Sequence, residues 1–504
     1  MIRAAGYPPG VKDNGQKDST GGGGLPSLLN ITMSTAEGVH WTPQGGIKTG
    51  LPCVGAIAPA QSFQQSETGI FDVIVLGAGD RIGGRTWNGI LDGFNYEMGG
   101  TWIHWHMPHI YREVSLYGLQ DDFIVTQVPG GKEDYCTLIT GDKRRNIGHE
   151  EEDGMFSKVW ALFCDVDGTA LQETIPYPFD SMRKFNTMEK WDTLSCKDRM
   201  QQIEHQLTFE EIGLLEAIIL QMGGGPLEDL GFLDAMRWWA LGGWKPTGLN
   251  DIGLRTRLGS GQSTLARRLF DHARSTGRLS YSFSTPVAAV VDNGRITEVA
   301  SRTGKTWRAH SVVCTIPLNV LPDVAFSPPL SPLKTEAIQL GQVNRGNKIH
   351  ADISGPDLVS YTSFASPGKG MICAISDNLT SRNDTHVVFF GPTPDMPNGI
   401  PLGKDIDAVK SAVAHLLPDG QKIERLVLHD WYADEFSKGT WCFFKPDYAA
   451  KYLVELQKAH GSVVFASADW SDGWRGWIDG AVQQGTQAAL AVIKALESSP
   501  SPHL

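Results

Sequence analysis

The residues of this chain best suited to chemistry begin with a pair of glycines. Gly77 and Gly79 close an apolar run, Phe71 to Leu76, in the order strand-Gly-Ala-Gly. Glycines at such a tip let the backbone approach a pyrophosphate, which then rests on the positive N-terminus of the next helix. Ile82 stands where the third glycine of that pattern would be, so a nucleotide turn and an ordinary tight turn both fit the residues. A second glycine-rich motif, Asp80-Arg81-Ile82-Gly83-Gly84-Arg85-Thr86, follows at once with no helix between. His104 and His106 form an HxH pair without carboxylate or cysteine companions, so no metal centre is expected. No Ser/His/Asp set or catalytic carboxylate pair stands apart from ordinary surface residues.

The elements that must position these residues read as mixed α/β. The run Phe71 to Leu76 has the continuous apolar character of a central parallel strand covered on both faces. Met155 to Leu241 is mainly helical in period, as in Phe209 to Leu220, where apolar residues recur three and four apart. Thr264 to His272 reads as a helix, Val287 to Val291 and Ser311 to Ile316 as strands, and Pro317 stops the latter. Lys348 to Ile353 and His386 to Phe390 read as strands of another sheet. Val463 to Ala466 is a late buried strand, followed by a helix after Gly476. Strands of one type thus recur near residues 75, 290, 313 and 464. That interleaving implies one nucleotide-binding domain in three segments with a substrate domain inserted.

Composition narrows the function classes. The chain has 504 residues, 41% hydrophobic and 20% charged, enough for two or three domains with a large core. A net charge of -12 excludes nucleic acid and anionic membrane as expected partners, since both need a basic face. Seven scattered cysteines suggest neither a disulfide framework nor a zinc site, and fit a reducing compartment. No run of about 18 apolar residues occurs, so no transmembrane anchor is expected. The expected location is intracellular, cytoplasmic or peroxisomal, the latter from the loose import-like ending Pro502-His503-Leu504. Residues 1–32, with Gly21 to Gly24, read as a disordered extension.

Read together, the flanking motifs carry a resemblance. Strand-Gly-Ala-Gly, Asp80 to Thr86, Tyr96-Glu97-Met98-Gly99-Gly100-Thr101-Trp102, Thr315-Ile316-Pro317 and Gly473 to Ala481 occur in one order across most of the chain. The set resembles the flavin-containing amine oxidases, and among them the fungal monoamine oxidases. The resemblance implies non-covalent FAD, because Thr440 stands where mammalian relatives carry the flavin-bound cysteine; Cys442 lies two residues on. It implies an FAD-binding Rossmann-like domain at 71–121, 255–337 and 434–496, a substrate domain of mixed sheet and helices at 122–254 and 338–433, and an N-terminal arm at 33–70.

The matching positions imply roles. Gly77, Gly79, Gly84 and Arg85 would meet the pyrophosphate and ring side, and Gly99, Gly100 and Thr101 would pass close to the flavin ring. Val287 matches an adenine contact, Ala468 and Asp469 a ribityl contact, and Ile478 the start of a helix whose dipole favours charge on the reduced ring. Trp441 and Trp477 match the family's aromatic cage for the amine, and Lys348 matches the lysine that holds a water beside flavin N5. The implied partners are a small primary amine and O2, giving aldehyde, ammonia and hydrogen peroxide; a homo-oligomer is left open. A polyamine or amino-acid oxidase is the neighbouring alternative, although no arginine is identified for a substrate carboxylate.

Against the family pattern, one piece is missing. A parallel βαβ unit needs about 30 residues, yet only Asp80, Arg81 and Ile82 separate Gly79 from Gly83. The lost piece comprises the pyrophosphate helix, the second strand and its ribose-binding acid. Losing the helix terminus costs about 0.3–2 kcal/mol, and losing a charged ribose hydrogen bond about 1.5–3 kcal/mol. A remnant unable to hold FAD is therefore the second expectation, and an in-frame omission with intact flanks explains the gap better than gradual divergence.

Overall fold

Apolar β-branched runs and amphipathic helices sort into two sheets with helices packed around them. The computed structural model describes residues 33–58, 69–180, 185–402 and 405–498. The expectations for residues 1–32 and for Pro502 to Leu504 fall outside the described residues. The larger sheet has nine strands, in the order Gly46–Pro52, Ser34–Thr42, Ile423–Leu428, Asn347–Ile353, Thr385–Gly391, Cys373–Leu379, Thr362–Ser366, Cys136–Thr140 and Lys143–Ile147. Its pairs are antiparallel except Thr362–Ser366 with Cys136–Thr140. Every residue of Asn347–Ile353 and Thr385–Gly391 is buried, so Lys348, His350, Asp352 and His386 must find partners inside the protein.

The smaller sheet is mixed. Val287–Asp292, Thr297–Ser301 and Thr306–Cys314 form an antiparallel meander, flanked by parallel partners Ala325–Ser327 and Val463–Phe465. Ile70–Leu76 lies parallel to Thr306–Cys314, with Val75 opposite Val313 and Leu76 opposite Cys314. Thr315 Oγ1 donates to Leu76 O, tying the two strand tips. Parallel pairing thus matches the expectation, but coverage on both faces does not. Among the described residues Thr306–Cys314 is the one strand partner of Ile70–Leu76, and Val73 and Val75 are 39% and 64% exposed. No helix follows Gly79 to cover that face; the next one in the chain is Pro108–Leu116. The run is apolar for a covered position that the chain does not complete.

Helices between His149 and Leu241 form the third layer. Phe209–Gly223 opens on a capping box, Thr208 with Glu211, and ends at the left-handed Gly224, so its limits are set locally. Phe232–Leu241 is buried all round, and carries Asp234 and Arg237 into the core. One large apolar cluster joins this layer to the strand tips of the smaller sheet, and Trp441 and Trp477 border it.

Candidate functional site

Where the two sheets approach, the hairpin Asn88–Leu91 with Phe94–Glu97 presents the turn Glu97 to Thr101. The turn must be glycine-lined: a Cβ on Gly99 would fall 1.9 Å from Arg85 O, and one on Gly100 would fall 2.8 Å from Thr86 Oγ1. Lys348 closes it from the nine-stranded sheet. Its Nζ donates to Glu97 O at 2.6 Å, to Gly99 O at 3.0 Å and to Thr101 Oγ1. All three ammonium protons therefore have protein acceptors, and a water on Nζ would have to displace one of them. Burial pulls the Lys348 pKa down to about 7 and pushes Glu97 up to about 7, with Arg257, Lys348 and Asp377 as further charges acting on the carboxyl.

An aromatic wall runs away from this turn. Lys348 Nζ lies 5.3 Å from the Trp102 ring, Trp102 lies 6.1 Å from Phe390, and Phe390 lies 6.2 Å edge-on to Trp441. Trp441 Nε1 donates to Met222 O at 2.7 Å, which fixes its plane. Trp477 packs separately, edge-on to Trp238 at 5.0 Å and to Trp474 at 5.2 Å. One buried carboxylate ties both tryptophan segments. Asp234 accepts from Phe444 N at 2.6 Å, from the Arg475 guanidinium and from Arg237 Nε at 3.3 Å. Arg237 also donates to Gly473 O at 2.7 Å. Although burial would raise the Asp234 pKa, Arg475 and Arg237 hold it below the usual range.

On the glycine-turn side, Arg85 donates to Asp469 Oδ1 at 2.6 Å and to Thr440 O at 2.7 Å, while Leu318 N donates to Asp469 Oδ2 at 2.8 Å. Ala468 and Asp469 are buried in a short 3-10 turn, and Ile478 begins the helix Ile478–Ser498 against Gly100. Val287 lies half-buried at the start of its strand, away from the turn Glu97 to Thr101 in sequence and sheet. Cys442 is buried, its Sγ within 3.4 Å of Asp469 O, and burial holds its thiol well above the ordinary value.

Sequence reasoning missed Arg81. Its guanidinium pairs with Glu37, donates to Gly84 O at 2.6 Å and lies 4.4 Å over the Trp87 ring. Asp80 accepts from Thr35 Oγ1 at 2.6 Å and from Ala36 N at 2.8 Å. The ladder between Ser34–Thr42 and Gly46–Pro52 shifts register between Thr35 and Val39, which turns these groups toward the motif. Glu37, His429 and Asp434 could bring three ligand atoms within 4.8 Å. Arg81 already neutralises Glu37, and His429 Nε2 lies 3.0 Å from Asp434, so the group reads as an ion-pair network. His104 Nδ1 accepts from His106 N, and burial drives its pKa to about 3.

For the expected FAD, the two ends of the molecule fit differently. At the ring end, the glycine turn, Lys348 and the N-terminus of Ile478–Ser498 converge as a flat ring requires, and a Cβ on Gly84 would meet nothing within 4 Å. At the phosphate end, Gly77 also faces open space, but no helix N-terminus follows it, and Asp80 and Arg81 are committed to Ser34–Thr42. The residues at the ring end would suit a flat ring. The adenosine half lacks the strand and helix that would hold it.

Comparison with known proteins bears on this arrangement. A family model described as flavin containing amine oxidoreductase matches residues 64–493. Pseudooxynicotine dehydrogenase of a Pseudomonas species is 28% identical, covering 95% of this chain and 94% of that protein. Nicotine dehydrogenase of Pseudomonas putida is 26% identical, covering 90% of each. The solved structure of cyclohexylamine oxidase from Brevibacterium oxydans superposes with a TM-score of 0.67 at 18% identity, over 85% of this chain and 100% of that one, a likeness of fold.

Proposed function

Since the chain belongs to the flavin containing amine oxidoreductase family, we propose that its site serves to oxidise a small primary amine at the carbon beside nitrogen. FAD, when bound, supplies the two-electron acceptor. The protein's own contribution is placement. Trp441 and Trp477 orient the amine, the former held by Met222 O and both by the Asp234 cluster. The Glu97 to Thr101 turn, fixed by Lys348, would lie along the ring, and Arg85 with Asp469 along its chain side. Segments 71–121, 255–337 and 434–496 would form the flavin-binding part and 122–254 with 338–433 the substrate part. Thr440 is engaged with Asn344 Oδ1 at 2.6 Å, which agrees with a non-covalent flavin.

The observation that carries this reading is the unbroken line Lys348, Trp102, Phe390, Trp441 beginning at the glycine turn. Its test is amine-dependent peroxide release by protein with bound flavin, across primary, secondary and cyclic amines. A flavin-loaded protein that releases none from primary amines, or reduces its flavin without consuming O2, rules out a primary-amine oxidase.

A second reading is favoured by the exposed Val73 and Val75 and by the helix absent after Gly79. In it, the chain as written folds but loses its cofactor. A visible absorbance spectrum of purified protein separates the two: flavin bands support the oxidase, and a colourless folded protein the remnant.

A further inference from the structure

Behind the glycine turn lies a file of buried groups that the proposed oxidation does not use. Asp377, His386, His350 and the Glu97 carbonyl stand in a row, each side chain no more than 3% exposed. His386 Nδ1 lies 3.2 Å from Asp377 O and 3.3 Å from its carboxylate. His386 Nε2 lies 2.9 Å from His350 Nδ1, and His350 Nε2 lies 2.9 Å from Glu97 O. The two rings are 5.1 Å apart at an interplanar angle of 11°. With nitrogens in hydrogen-bond contact, that is an edge-to-edge arrangement in one plane, the geometry of an N–H···N bond.

Both ends of the file are acceptors. Asp377 is held ionised by Arg257 at 3.2 Å, and a carbonyl oxygen never donates. Each end contact needs a proton on the facing nitrogen, and the central contact needs one more. Two neutral imidazoles carry only two.

We propose that His386 is a buried imidazolium facing Asp377, and that His350, neutral and protonated on Nε2, is a positioning residue that holds the Glu97 carbonyl for the glycine turn. The charges around the pair agree with this order. Asp377 faces His386 from strand Cys373–Leu379, and Arg257 of Thr256–Leu258 pairs with Asp377 behind it. Lys348 and Asp352 flank His350 on its own strand, Tyr96 and Glu97 face it from the hairpin, and Arg425 and Arg382 close the Asp352 side. Burial, and then Lys348 and His386, push the His350 pKa well below its ordinary value, while the Asp377 carboxylate, 3.3 Å from His386 Nδ1, places the extra proton on His386. Glu97 O then receives two donors, Lys348 and His350, and the turn is fixed from both sides. The proton count stands on this geometry alone; that the turn serves a flavin ring rests on the family reading.

The test uses the full chain with 15N-labelled histidine at pH 8. Three imidazole N–H protons assigned to His350 and His386 are expected, and two overturn the proposal. Hydrogen–deuterium exchange of the segment 95–103 supplies a second readout that needs no flavin. His350→Leu should speed exchange there about tenfold, while His350→Gln, which keeps an acceptor and a donor, should restore the wild-type rate. His350→Leu exchanging like the wild type overturns the positioning role. If His350→Leu does not fold, the N–H count in the wild-type protein still decides. Absorbance recorded on the same samples reports flavin content separately, so a colourless protein with three N–H protons counts against the oxidase reading of this chain and not against the proton count.

Discussion

Arg85 and Asp469 meet at 2.6 Å although 384 residues separate them in sequence. The pair joins the glycine motif to the 3-10 turn before the C-terminal helix, and Asp469 is fully buried while the Arg85 side chain is 19% exposed. Arg85→Met leaves the carboxylate with Leu318 N alone, so urea unfolding should show a loss of about 3 kcal/mol. A change under 1 kcal/mol would mean that solvent replaces the guanidinium.

Asp234 should be costlier still. Asp234→Asn removes the charge that Arg237 and Arg475 share, leaving two guanidiniums in a fully buried site. A loss of about 3–5 kcal/mol is expected, together with a shift in near-UV circular dichroism as Trp441 and Trp477 lose their common anchor. Unaltered tryptophan signals with intact stability would show that the two segments are held independently.

Lys348 gives a pH signature. Its folded pKa is lowered to about 7, below the unfolded value of about 10.4. Between these values the unfolded chain binds more protons, so this group makes stability rise as pH rises, by at most about 1.4 kcal/mol per unit. Glu97, raised to about 7, acts oppositely from its unfolded value of about 4.3 upward: it favours the folded state at acid pH, a contribution lost as pH climbs toward 7. The stability difference between wild type and Lys348→Met should therefore move in the wild type's favour from pH 7 to 10. A difference that stays flat across that range would place the lysine charge elsewhere.

Val75, 64% exposed, is a surface residue in this chain despite its strand setting. Val75→Lys should change stability by less than about 0.5 kcal/mol. Inserting a strand-and-helix unit of about 25 to 30 residues between Gly79 and Asp80 should make the same substitution cost more than 1 kcal/mol and raise flavin retention. Equal cost with and without the insert would dissociate the exposed face from the gap.

How far the sequence reads out depends on which forces are local. The strands at Val287, Lys348, His386 and Val463 and the helix before His272 were legible because apolar runs and periods fix them within a few residues. For Ile70–Leu76 the apolar run by itself reads as fully covered, and the piece missing after Gly79 accounts for its exposed face, since an apolar run records what a strand was selected to face, not what this chain supplies. The motif residues Arg85, Asp469, Gly99 and Lys348 could be named, but their joining is long-range. Lys348 spending all three protons on the turn, Arg81 bridging to Glu37 and Asp234 tying two tryptophan segments depend on sheet registers that no local pattern encodes. Asp234 and Arg475 carried one faint signal, charged residues inside otherwise apolar or aromatic stretches.

The grip of Ser34–Thr42 on Asp80 and Arg81 limits how this molecule can open. That strand is laddered to Ile423–Leu428 of the nine-stranded sheet, so the residues just before the Gly83-Gly84 bend are tied to that sheet. Parting Asp80 and Arg81 from the sheet would break the Arg81–Glu37 ion pair and the two hydrogen bonds that Asp80 accepts from Thr35 Oγ1 and Ala36 N.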